Sequence, residues 1–189
     1  MSWHRTQTFS SRQKTGLVLI LVSLVCFGAI LLLKIYQQSR EEILSFSETP
    51  KFEEEISEDL FPSQIQIPRV RIDLLISPAK AEGEIWEISK DGASYLLGSG
   101  IPGRKGNSII YGHNKNNLFG PIRWLERDDE IKVINRKGEE FIYKVKETKT
   151  VSPENIEVLA PTEEPTLTLY TCTGFADQKR LIVIAKPSS

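Results

Sequence analysis

The chain is 189 residues long, room for one domain of ordinary size and an appendage. With 24 Lys/Arg against 25 Asp/Glu its formal net charge is −1. Nothing in that balance points to a nucleic-acid partner, which demands a basic patch against phosphate; the cationic side chains read as a solvated surface.

The appendage comes first. Residues 16–33 are apolar and uncharged, with Ser23 their one hydroxyl residue. At about 1.5 Å per residue such a run nearly crosses a hydrocarbon layer of roughly 30 Å, and a transmembrane signal anchor is expected over residues 16–35. A cleaved secretory signal is the competing reading. It fits less well, because the run is longer than the usual apolar core, and Leu31, Leu32, Leu33, Ile35 and Tyr36 stand where small residues would mark a cleavage site. Arg5, Arg12 and Lys14 precede the span, which favours a cytoplasmic N-terminus, residues 1–15, and an extracytoplasmic remainder at the cell membrane.

Residues 36–64 are rich in Glu and Ser with scattered apolar positions, too acidic for a core of their own, and read as a stalk or linker. A lid over an active site gains little support from them. From residue 65 to 189 the pattern changes to short alternating runs broken by turn residues, the mark of an all-β sandwich or barrel.

Ile65, Ile67, Val70 and Ile72 open it. Trp86 and Ile88 flank Glu87, Asp91-Gly92 supplies a turn, and residues 94–97 are expected to return as the partner strand. Residues 107–111 make another strand. The clearest hairpin joins residues 131–135 to 141–148 around Arg136-Lys137-Gly138. Residues 167–170 and 181–185 are the last two strands. Residues 118–125 are expected to form a short helix, with Pro121 tolerated in its first turn.

Of the two cysteines, Cys26 lies within the apolar run and only Cys172 stands outside it. A lone thiol there is, by itself, most simply a buried structural residue. Its setting shifts that balance: Cys172 follows the apolar, hydroxyl-rich stretch TLTLYT and precedes a loop with Gly174. A strand end is held by the sheet yet faces a loop, so the thiol there is expected to be both fixed and accessible, as a nucleophile requires.

A cysteine nucleophile works with a cation or base and a proton donor for the leaving group. His113 is the one histidine beyond the apolar run, placed where the strand IIY gives way through Gly112 to a polar loop. Taken alone it is an ordinary surface histidine. Arg180 opens the final strand and would lie beside the strand carrying Cys172 if the two pair. Its guanidinium stays charged and can hold a carbonyl or an oxyanion; its alternative is a solvent-edge arginine.

TLYTC, GH after an apolar strand and QKRLIVIA after the cysteine resemble, in order, the signatures of the sortases. IPRVRIDLLI, GSGIPGRKGNSIIYGH and LFGPIRWLERDDEIKV add to the likeness, which covers residues 66–186. The resemblance implies an eight-stranded sortase-type β-barrel with short helices and a triad of His113, Cys172 and Arg180. It implies a Cys-dependent transpeptidase that cleaves an LPxTG-like sorting signal, holds the acyl group as a thioester and transfers it to an amine, such as a cell-wall precursor or a pilin lysine. Thr171 matches the family's threonine before the cysteine and would support substrate in the same pocket. Residues 151–166 fall where the family places a substrate-recognition loop.

Two departures leave the class open, with class D-like among the options. Gly174 stands where several classes have proline, and Tyr170 fills the variable place in TLxTC. The loop SGIPGRKGN before the strand ending at Tyr111 lacks the acidic residues by which some sortases bind calcium, so no metal and no other cofactor is expected. Two other functions fit the same residues: a cysteine peptidase that hydrolyses the intermediate, and a non-catalytic anchored β-domain that binds peptides with Cys172 buried.

Overall fold

The computed structural model describes residues 11–40, 57–82 and 85–188. The chain divides into two compact units, residues 1–40 and 41–189. In the first, α1 (Ser11–Arg40) is a single helix of 30 residues. Most of its described side chains, within residues 19–34, are apolar and exposed, Leu19, Val25, Phe27 and Leu32 among them, with Ser23 and Lys34 the polar exceptions. They cover part of the expected span; among the described residues no helix is long and apolar enough to cross a membrane. Residues 41–56 of the expected stalk and residues 1–10 of the expected cytoplasmic segment lie outside the described residues.

The second unit is a closed barrel. Its strands are β1 (Pro62–Ile67), β2 (Ile72–Ala79), β5 (Ala93–Leu96), β6 (Asn107–Tyr111), β7 (Glu130–Asn135), β8 (Glu140–Val151), β9 (Thr166–Thr173) and β10 (Lys179–Pro187). Two short strands, β3 (Ala81–Glu82) and β4 (Ile85–Trp86), form a separate two-stranded sheet. The barrel order is β1-β2-β5-β6-β9-β10-β8-β7, closing back on β1. The β2–β5 and β6–β9 pairs are parallel and the others antiparallel.

Strand alternation sorts the side chains to two faces. Ile65, Ile76, Tyr95, Ile110, Val133, Tyr143, Leu169 and Val183 belong to one buried cluster to which all eight barrel strands contribute, so it is the interior. The opposite face is buried only locally. There Ile109 and Tyr111 of β6, Tyr170 and Cys172 of β9 and Ile182 of β10 pack under Trp86 and under Leu159 from the connection between β8 and β9. The nucleophile candidate thus sits on the outside of the barrel wall, in one buried cluster with Trp86 and Leu159.

Two expectations change. Residues 94–97 do not pair with the Trp86 segment: β5 lies parallel to β2 and antiparallel to β6, and β4 turns back on β3. Alternation identifies strands but not partners, and the parallel β2–β5 pairing needs a crossover that a hairpin reading does not allow for. The segment expected to be helical is a 3-10 turn, Gly120–Trp124, with Pro121 at its start. Similar short turns occur at Glu58–Leu60, Pro68–Val70, Ile156–Leu159 and Phe175–Asp177. The opening strand begins at Pro62, three residues before the alternating run.

Candidate active site

Cys172 is the penultimate residue of β9 and lies directly across the ladder from Arg180 of β10. Side chains so opposed share a face, their Cβ atoms about 5 Å apart. On the far side of Arg180 the register brings Val151 of β8. Arg180 is 4% exposed, and its Nη1 donates to the carbonyls of Asp177 and Lys179 at 3.0 and 3.2 Å. The connection after Cys172 therefore helps to aim the guanidinium.

His113 reaches the same end of the sheet from the other side. β6 and β9 run parallel with Tyr111 opposite Tyr170. The ladder continues one step, the Gly112 N–H donating to the Tyr170 carbonyl at 3.3 Å, while Thr171 Oγ1 donates to the Gly112 carbonyl at 2.7 Å. Two places past Tyr111 and Tyr170, that register sets His113 level with Cys172. The His113 carbonyl accepts N–H bonds from Lys115 and Phe119, which fold the chain away from the strand directly afterwards. Thr171 lies on the opposite face from Cys172, so its hydroxyl steadies the backbone that carries His113 and does not line the Cys172 face.

Cys172 is 6% exposed. The expectation of an accessible thiol is thus corrected: β9 runs one residue beyond Cys172, and the thiol belongs to a buried cluster with Trp86 and Leu159. Burial pushes the thiol up to about 11, with the Arg180 charge opposing and Asp177 reinforcing the shift. His113 is 9% exposed, more enclosed than a surface-loop histidine.

The turn after Cys172 explains one departure from the family pattern. Gly174 adopts φ 84° and ψ −179°, a region essentially confined to glycine. Proline, whose φ is fixed near −65°, cannot make this turn.

Three residues that the sequence did not mark as part of the site shape it. Asn107 Nδ2 donates to the carbonyls of Val158 and Ala160, both at 3.2 Å, and Asn107 Oδ1 accepts from Thr168 Oγ1 at 2.7 Å. The buried amide thereby pins the Ile156–Leu159 turn to the barrel wall. Tyr111 stacks on Tyr170, centroids 5.0 Å apart and planes at 11°, and Trp86 meets both rings edge-on at 5.6 and 6.0 Å. Nothing local in the sequence singles these out, because their roles depend on which strands become neighbours.

The family model described as Sortase domain matches residues 65–188. Sortase A of Listeria monocytogenes is 28% identical over 117 residues, a match spanning 60% of this chain but only half of that protein's length. The structure of sortase C from Clostridium perfringens superposes with a TM-score of 0.56 at 26% identity, covering 71% of this chain and 73% of that one. That of Listeria monocytogenes sortase A gives 0.56 at 24%, covering 69% and 88%. Relatives of both lettered classes align comparably, so the class stays unresolved. The barrel order, the paired ends of β9 and β10 and a family match across two-thirds of the sequence agree: the chain belongs to the sortase family.

Proposed function

We propose that the chain is a membrane-anchored transpeptidase of the sortase type, with Cys172 as nucleophile, His113 as acid and base, and Arg180 at the oxyanion. The observation that carries the reading is the convergence at one sheet end: Cys172 opposite Arg180 in the β9–β10 ladder, and Gly112-His113 bound to β9 through Thr171.

In this reading Cys172 Sγ attacks the carbonyl carbon of the scissile peptide bond in an LPxTG-like sorting signal. Attack requires the thiolate, and a thiol held near 11 by burial keeps its proton at neutral pH, so the proton must pass to a neighbouring base, His113. The charged guanidinium of Arg180 opposes the burial effect and stabilises the oxygen as it gains charge. Collapse breaks the C–N bond, and His113 delivers its proton to the departing amine. The thioester then meets an incoming amine, a cell-wall precursor or a pilin lysine. His113 takes that amine's proton, and Cys172 leaves. Thr171 acts through position, holding the Gly112 carbonyl and with it the His113 backbone.

The anchor rests on the positive flank of α1 and on its exposed apolar side chains, which a bilayer would cover. Incubating the full chain with an LPxTG-type peptide tests the activity. A thioester adduct on Cys172, released as a new amide when an amine is added, is expected. Absence of any adduct on Cys172 would sink the mechanism, and release only to water would favour the peptidase.

A further inference from the structure

The thiol is 6% exposed, yet a peptide carbonyl must reach its sulfur. Access to it is therefore governed by what packs on that face. Two segments share the buried cluster that holds it, and they are held differently. The Ile156–Leu159 turn, which brings Leu159, is clamped by the Asn107 amide at two carbonyls. Trp86 belongs to β4, whose ladder with β3 is two residues long and contributes no strand to the barrel. The Tyr111 hydroxyl donates to the Glu87 carbonyl beside it.

Trp86 rests on a surface suited to a ligand. Tyr170 is two residues from Cys172 on the same face of β9, about 7 Å along the strand, and Tyr111 extends the floor sideways through its stack. A peptide running from the thiol over this floor would lay an apolar side chain, one or two residues upstream of the scissile carbonyl, where the indole now sits. The opposite direction leads off the sheet end into the turn at Gly174. Exchange of one apolar group for another leaves the two tyrosine faces covered in both states, so a sorting peptide can drive the change with a modest differential affinity.

Resting on the sortase reading for its substrate, we propose that Trp86 is a self-ligand of the acyl-donor groove: its indole occupies the Tyr111–Tyr170 floor until an apolar side chain of the sorting peptide displaces it. The chain then carries its own competitor, and access to Cys172 is coupled to recognition of the peptide's apolar residue.

Cys172 alkylation by iodoacetamide in the full chain tests the cover without any peptide. Trp86→Ala and Tyr111→Phe should each raise the rate by about threefold or more, because each increases the open fraction. Tyr111→Phe keeps both rings and removes only the bond to Glu87, so it serves where Trp86→Ala fails to fold. Rates within about twofold of the parent in the folded variants would overturn the proposal. The second arm uses Cys172→Ala in a Trp3→Phe/Trp124→Phe background, where Trp86 is the one remaining indole of three. Saturating sorting peptide should shift its emission to the red. Saturable binding with unchanged emission would also overturn the displacement, whereas failure of any sorting peptide to bind would sink the sortase acyl-donor reading and leave the alkylation rates to judge the cover.

Discussion

Arg180 stands directly across from Cys172, yet its Nη1 donates to the carbonyls of Asp177, in the connection between the two strands, and of Lys179, the first residue of β10. The guanidinium is therefore oriented by the turn that follows Cys172, a geometry that uses its planar fork as well as its charge. Arg180→Lys keeps the charge and loses the fork. With a sorting peptide, kcat/KM should fall by about 10²-fold, chiefly in kcat, as for loss of an oxyanion donor. Steady-state kinetics check it, and an unchanged kcat would remove Arg180 from the transition state.

The turn itself is the next test. Gly174→Ala places a Cβ at φ 84° and ψ −179° and should cost about 1–3 kcal/mol. Gly174→Pro, which restores the residue common in other classes, should do worse than alanine, because its φ is incompatible. Denaturant unfolding of the pair gives the order.

Thr171→Val removes the hydroxyl that donates to the Gly112 carbonyl at 2.7 Å and nearly keeps the side-chain shape. Stability should fall by about 1 kcal/mol, and kcat/KM by about tenfold as His113 loses its alignment. Ser108→Ala, which breaks a 2.6 Å bond to the Gly100 carbonyl away from the site, supplies the comparison. It should cost similar stability and leave kcat alone.

Burial raises the Cys172 thiol from 9.0 to about 11 in the folded chain. The folded state holds this proton more tightly than the unfolded one, so the associated stability is fully present below about pH 9 and is lost as pH rises toward 11. The difference in unfolding free energy between the parent and Cys172→Ala should therefore shrink by about 1.4 kcal/mol per pH unit across that window. A difference independent of pH from 8 to 11 would mean the thiol is not held in its neutral form.

Asn107→Ala deletes the amide that clamps Val158 and Ala160 and accepts from Thr168. A loss of about 1–3 kcal/mol is expected from the buried carbonyls left behind. Hydrogen exchange should quicken in the Ile156–Leu159 turn ahead of the barrel strands.

Much of this molecule is legible in its sequence because the relevant physics is local. Ile131 and Val133 alternate with polar neighbours, and β7 and β8 pair across Gly138 as that alternation implies. TLTLYTC and the stretch from Lys179 announce adjacent strands, and the register sets Cys172 against Arg180. The pairing of the Trp86 segment was not legible, because period-two alternation is equally compatible with a hairpin to residues 94–97 and with the parallel β2–β5 crossover that forms.

The sequence alone determined the residue types that chemistry needs, a single thiol outside the apolar run, a single histidine beyond it and an arginine at the next strand's start, because composition and strand period are properties of short stretches. Tertiary structure decided how that thiol is held: facing outward on the barrel wall, in a buried cluster with Trp86 and Leu159, its pKa raised by burial and its loop turned through Gly174. Burial and strand partnership arise from contacts between residues tens of positions apart, which no local pattern specifies.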